Sequence, residues 1–178
     1  TLVDTDNLEG TTDEQTVAVA KEYIGFTTKS FEQNVIAPDG STVIEIYYDR
    51  NVYTITYKIT GRIDATDDFA HSNLKYGQDI TPVQTPSKIG YTFSGWSTIP
   101  EKMPNNDLTV TGSYQANTDT AYKVNHYQQN VNDDNYTLVD TDNLEGTTDE
   151  QTVAAAKDYI GFTVKSFEQN VIVPDGST

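Results

Sequence analysis

The chain has 178 residues, with 11 Lys and Arg against 27 Asp and Glu, no cysteine, and a formal net charge of −16. Nucleic-acid binding is excluded as a first expectation, because a phosphate backbone is held by neutralising it with cations, and an anionic membrane surface is equally disfavoured. No disulfide or thiolate chemistry is available, and no apolar run approaches the ~20 residues that span a bilayer.

In chain order, the first pattern is Thr12-Asp13-Glu14-Gln15, which has the form of a capping box. Val17, Ala20 and Ile24 follow at helical spacing and Gly25 supplies a stop, so a short helix is predicted over 12–24. Pro38-Asp39-Gly40 reads as a turn before the strand Val43-Ile44-Glu45-Ile46-Tyr47-Tyr48. From Val52 to Thr60 the chain alternates strictly. Tyr53, Ile55, Tyr57 and Ile59 fall on one face, the mark of a strand with one buried side. Pro82 and Pro86 break any long helix between Gly77 and Gly90. Pro104-Asn105-Asn106 reads as a turn, and Leu108, Val110, Gly112 and Tyr114 give a second alternating face. The segment 148–161 repeats the predicted helix. High net charge alone would suggest disorder, but 11% aromatic residues in clean alternation argue for a folded, β-rich chain.

An internal repeat dominates the organisation. Residues 1–42 recur as 137–178 with four differences: Val19 is Ala155, Glu22 is Asp158, Thr28 is Val164 and Ala37 is Val173. Between the copies lies a related segment. Ile24-Gly25-Phe26-Thr27 corresponds to Ile89-Gly90-Tyr91-Thr92, and Gly10 through Tyr48 aligns with Gly77 through Tyr114. The reading is two related module types: module A over 1–52, module B over 53–119, and a second copy of A over 120–178. By this reading the first A copy lacks its opening strand, the counterpart of 122–128. The second lacks its closing strand, the counterpart of 43–48. The expectation is a window on a longer array, or neighbouring chains that complete each other head to tail by strand addition. The junctions Asn51-Val52 and Asp119-Thr120 are short and not Gly/Ser-rich, which predicts stiffness. The predicted fold class is α+β and β-rich, with small β-grasp-like modules in an elongated tandem array.

Tyr76-Gly77, Ile89-Gly90-Tyr91-Thr92-Phe93-Ser94-Gly95-Trp96, Met103-Pro104 and the strand Leu108 to Tyr114 together resemble the Listeria–Bacteroides repeat, the internalin B-repeat. Module A, with Tyr122-Lys123-Val124-Asn125-His126-Tyr127, resembles mucin-binding-protein-like repeats but lacks the Gly-Trp pair. The resemblance implies a β-grasp-like module from the extracellular part of a bacterial surface protein, acting as a stalk or adhesive arm.

Chemical candidates are few. His126 occupies a strand position equivalent to Tyr57 and reads as a packing residue. His71 stands near Asp64, Asp67 and Asp68, which reads as a solvated loop before it reads as a metal site. Asp4-Thr5-Asp6-Asn7-Leu8-Glu9-Gly10 fails the EF-hand template, since Leu8 and Glu9 fall where an oxygen ligand and a glycine are needed. A junctional calcium site from Asp133, Asp134 and Asp140 is the one cofactor the sequence leaves open. No serine sits in a strained nucleophile turn, and no catalytic residue is nominated. Trp96, Tyr91 and Tyr114 are the candidate ligand-binding residues, for stacking on sugars of a host mucin or glycan, although aromatics on alternating strand positions more often pair with each other. Gly25, Gly90, Gly95 and Pro104 are the candidate structural residues. The expected function is a non-enzymatic stalk or fibre segment at the bacterial cell surface, with adhesion to mucin, glycan or protein as the alternative.

Overall fold

The computed structural model describes residues 2–60 and 68–178. Eight strands follow one another: β1 (Phe26–Thr28), β2 (Tyr48–Arg50), β3 (Val52–Thr60), β4 (Asp68–Lys75), β5 (Tyr91–Trp96), β6 (Leu108–Ala116), β7 (Thr120–Gln129) and β8 (Tyr136–Gly146). β1 pairs with β2, β7 pairs with β8, and the remaining four form a sheet in the order β4-β3-β6-β5.

The alternation in the sequence sets the core. On β3, Ile55, Tyr57 and Ile59 are at most 1% exposed, as is Val110 on β6. Met103, ahead of the predicted Pro104 turn, is equally buried. β5 carries a bulge between Phe93 and Trp96. Gly95 sits inside it with a φ of 94°, a conformation that costs a side-chain-bearing residue about 1–2 kcal/mol.

The helix predicted over 12–24, and its copy over 148–161, do not form. No helix occurs among the described residues, so the α+β, β-grasp expectation is replaced by an all-β one. The physical reason lies in the capping-box residues themselves. Asp13 and Asp149 both take a left-handed φ of 65°, which turns the chain back instead of starting a helix. The Asp13 N–H then donates to the Ile36 carbonyl at 3.0 Å, and the Thr16 N–H to Asn34 at 2.8 Å. Farther on, the Gln33 side chain acts as a substitute strand: its amide donates to the Ala18 carbonyl (2.7 Å) and its oxygen accepts the Ala18 N–H (2.9 Å). Gln169 does the same for Ala154. The apolar spacing that suggested a helix buries little, since Val17 and Ile24 are largely exposed.

The same turn recurs in the middle segment. Gly77, at φ 72°, donates to the Met103 carbonyl as Asp13 does to Ile36 and Asp149 to Ile172. Single bridges follow each turn, Gln15 to Val35, Asp79 to Lys102 and Gln151 to Val171. The alignment of Gly77 with Gly10 is therefore shifted: its counterpart is Asp13.

The chain divides into two compact units. One comprises the chain up to Thr56 with His71–Thr81 and Ile99–Thr109. The other comprises Tyr57–Ala70, Pro82–Thr98 and Val110–Thr178.

Candidate functional site

Two asparagine nodes, one in each compact unit, recur with the same bonding pattern. In the first, the Asn51 N–H donates to the Gly25 carbonyl (2.9 Å) and its own carbonyl accepts the Tyr76 N–H (2.8 Å). Its side-chain oxygen accepts the Thr27 hydroxyl at 2.6 Å. In the second, Asn117 donates to Gly90 (2.9 Å), accepts from Thr148 (2.9 Å), and takes the Thr92 hydroxyl at 2.8 Å. Each asparagine thus ties a strand start behind it to the turn of the segment ahead. Sequence reasoning placed Asn51 at a junction without a bonding role and did not single out Asn117. The signal was present: each lies three positions beyond the aligned Tyr48 and Tyr114.

The glycines at these nodes are in close contact. A Cβ on Gly25 would lie 2.2 Å from the Tyr76 ring, and one on Gly90 would lie 2.7 Å from Pro174, while both residues hold a positive φ. Arg50 reinforces the first node, with its guanidinium 4.9 Å from the Phe26 ring centre and donating to the Tyr76 carbonyl at 2.7 Å. At the second node, the Tyr91 hydroxyl donates to the Asp149 carboxylate, which raises the tyrosine's pKa above its ordinary value. The Lys88 ammonium lies 3.6 Å from the centre of the Tyr91 ring and 5.6 Å from that of Tyr114.

Trp96 is placed in an aromatic cluster with Phe93 (4.8 Å), Tyr57 (5.1 Å) and Phe69 (5.9 Å). Its indole N–H is buried with no hydrogen-bond partner among the described residues. Tyr91 and Tyr114 pair at 6.4 Å, and Phe93 adjoins Tyr114 at 5.6 Å. The structure therefore brings the three nominated aromatics into one continuous row on β5 and β6, half-buried. Tyr47 and Tyr127 are more exposed than any of the three.

The acidic runs are held by lysine. Lys21 contacts Asp4 at 2.6 Å and Asp6 at 2.7 Å, and its copy Lys157 contacts Asp140 at 2.6 Å and Asp142 at 2.5 Å. Hydrogen bonds from the ammonium hold Asp4, Asp140 and Asp142 below the usual carboxylate range and raise both lysines. Asp142 also meets His126 at 3.0 Å, on a nearly buried imidazole. The calcium trio is not assembled as such: Asp140 is taken by Lys157, Asp133 caps the Asn130–Asn135 turn, and Asp134 accepts from Gln129. His71 and Asp68 lie on β4, whereas Asp64 and Asp67 lie outside the described residues. Among the described residues no cluster of three metal-ligating side chains is present.

Residues 53–127 match the family model of the Listeria-Bacteroides repeat domain, the family that the Gly-Tyr-Thr-Phe-Ser-Gly-Trp segment resembles. That family is a structural repeat found in bacterial surface proteins. No curated protein matches the chain.

Proposed function

We propose that the chain is a non-enzymatic structural segment of a bacterial surface protein, in which module A (1–52), module B (53–119) and a second A (120–178) act in series to carry force or spacing. The observation that supports this reading most is the repeated node. Asn51 and Asn117 make the same three bonds to equivalent partners, although the residues around them differ. A device repeated at successive joins suits a chain whose purpose lies in the joins. The half-buried aromatic row fits the same role, because Trp96, Phe93 and Tyr57 spend their rings on one another.

Single-molecule pulling of the whole chain tests this. Asn117→Ala loses the side-chain acceptor for Thr92 and is expected to lower the unfolding force of the second unit, with about 1 kcal/mol lost at equilibrium. Asn117→Asp keeps an acceptor oxygen and is expected to restore most of the force. Equal forces for all three proteins would count against a mechanical role for the node. The second reading, adhesion to mucin or glycan, is favoured by the exposed rings of Tyr47 and Tyr127.

A further inference from the structure

We propose that Asn135, at the tip of the β7–β8 hairpin, is an N-glycosylation site whose carboxamide nitrogen takes a glycan from a sugar donor with a diphosphate leaving group. Asn135-Tyr136-Thr137 has the Asn-x-Thr form of an acceptor, with no proline at the middle position. No other asparagine of the chain has a serine or threonine two positions on. The spacing has a chemical purpose: the hydroxyl two residues on lets a transferase recognise and orient the amide that is to react. Asp133, two positions before, adds an exposed carboxylate to the same segment.

The fold presents this triplet. β7 and β8 pair along their whole length, and the Asn130 N–H closes the tip on the Asn135 carbonyl at 2.9 Å. The tip is internal to the hairpin, so it is complete in itself. Every residue from 131 to 140 is exposed, and Val131 is 98% exposed. The Asp133 carboxylate accepts the Asn135 N–H and the Asn130 side-chain amide, both at 2.8 Å, which fixes the backbone of the tip. Among the described residues, the Asn135 carboxamide meets only that same carboxylate. Asn51, Asn117, Asn125 and Asn130 differ: each accepts a threonine hydroxyl, from Thr27, Thr92, Thr141 and Thr137 in turn. A sugar on any of those would crowd a side chain the fold already uses. A sugar on Asn135 leaves the tip closure in place, because that closure runs through its backbone. A bulky, solvated group belongs at such a surface position.

The step is a substitution at the anomeric carbon of the sugar. The bond from Asn135 Nδ2 to C1 forms as the C1–O bond to the diphosphate breaks. The diphosphate leaves with the electron pair, and the proton lost by the nitrogen passes to a base of the transferase. Nothing is oxidised or reduced. The donor is a lipid-diphosphate-linked oligosaccharide or a nucleotide sugar, which share this chemistry. The inference rests on the surface location in the reading above, where donor and transferase meet the chain, and not on the mechanical role.

Mass spectrometry of the protein recovered from its native cells, with surface and interior fractions kept apart, tests it. Trypsin releases residues 124–157 as one peptide, which is expected to carry a single glycan on Asn135 in the surface fraction. The added mass separates the donors: a single sugar from a nucleotide sugar, an oligosaccharide from the lipid carrier. Expressed in the same cells, Asn135→Gln is expected to abolish the modification. Thr137→Ala is expected to lower its occupancy at least tenfold, and Thr137→Ser to retain it. Matching circular dichroism of the variants checks that the exposed substitutions leave the fold intact. A bare 124–157 peptide in protein displayed at the surface overturns the site and leaves the surface reading standing. A glycan on another residue, or occupancy unchanged by Thr137→Ala, also overturns it. Protein found only inside the cell overturns the surface reading, and the glycan with it.

Discussion

At Gly25, Gly90 and Gly161 the same left-handed residue meets three different surroundings, so substitution separates backbone strain from crowding. Gly161→Ala adds a Cβ into open space and is expected to cost only the strain of its φ, about 1–2 kcal/mol. Gly90→Ala adds the same strain and drives the Cβ to 2.7 Å from the Pro174 backbone. It is expected to cost clearly more, measured by denaturant unfolding of the two variants side by side. Equal costs would show that the packing at Pro174 is soft. The lysine clamps carry a pH signature. The folded pKa of Asp140 and Asp142 is lowered, so their contribution is present above the unfolded value of 3.8 and is lost as pH falls through the folded value. The folded pKa of Lys157 is raised, so its contribution is present below 10.5 and is lost as pH rises through the folded value. The clamp is therefore expected to be intact between about pH 4 and 10. Carboxylate titration by NMR checks this: Asp140 and Asp142 should titrate below 3.8 in the native chain and return toward it in Lys157→Met. Both charges are partly exposed, so the effect on stability should be small and reduced by salt.

At the scale of elements, β3 and β6 were legible because a strict alternation buries one face, and Ile55, Tyr57, Ile59 and Val110 lie where that alternation put them. The 12–24 segment was not legible. Its capping box and spaced apolar residues satisfy a helix template locally, yet Asp13 and Asp149 adopt the left-handed conformation that asparagine and aspartate tolerate. The competing bonds come from Asn34 and Gln33, fifteen or more residues away, which no local pattern reveals. The asparagine nodes were hidden for a related reason: a single polar residue between strands looks like any turn residue until its partners are known. Trp96 packs against three aromatic rings, so Trp96→Ala is expected to destabilise by about 3–5 kcal/mol through lost contact and an open cavity. Thermal unfolding followed by tyrosine fluorescence would register it, and Trp96→Phe should recover a good part of the loss. A variant as stable as the parent would free Trp96 from a packing role.

For the whole molecule, the two functional readings differ in what the surface must do. A spacer needs sound joins and an acidic, self-repelling exterior, and the charge of −16 supplies the second. An adhesin needs a ligand-competent patch. The repeat family was legible in the sequence because the Gly-Tyr-Thr-Phe-Ser-Gly-Trp run is contiguous. The choice between spacer and adhesin was not, because it rests on how fully the rings are spent on packing. The deciding measurement is binding of the whole chain to an immobilised mucin and glycan panel, beside Tyr47→Ala and Tyr127→Ala variants that alter exposed rings and leave the aromatic row intact. The structural account predicts no saturable binding by a chain that is folded. Saturable binding, abolished by either substitution, would contradict it and make this surface an adhesive one.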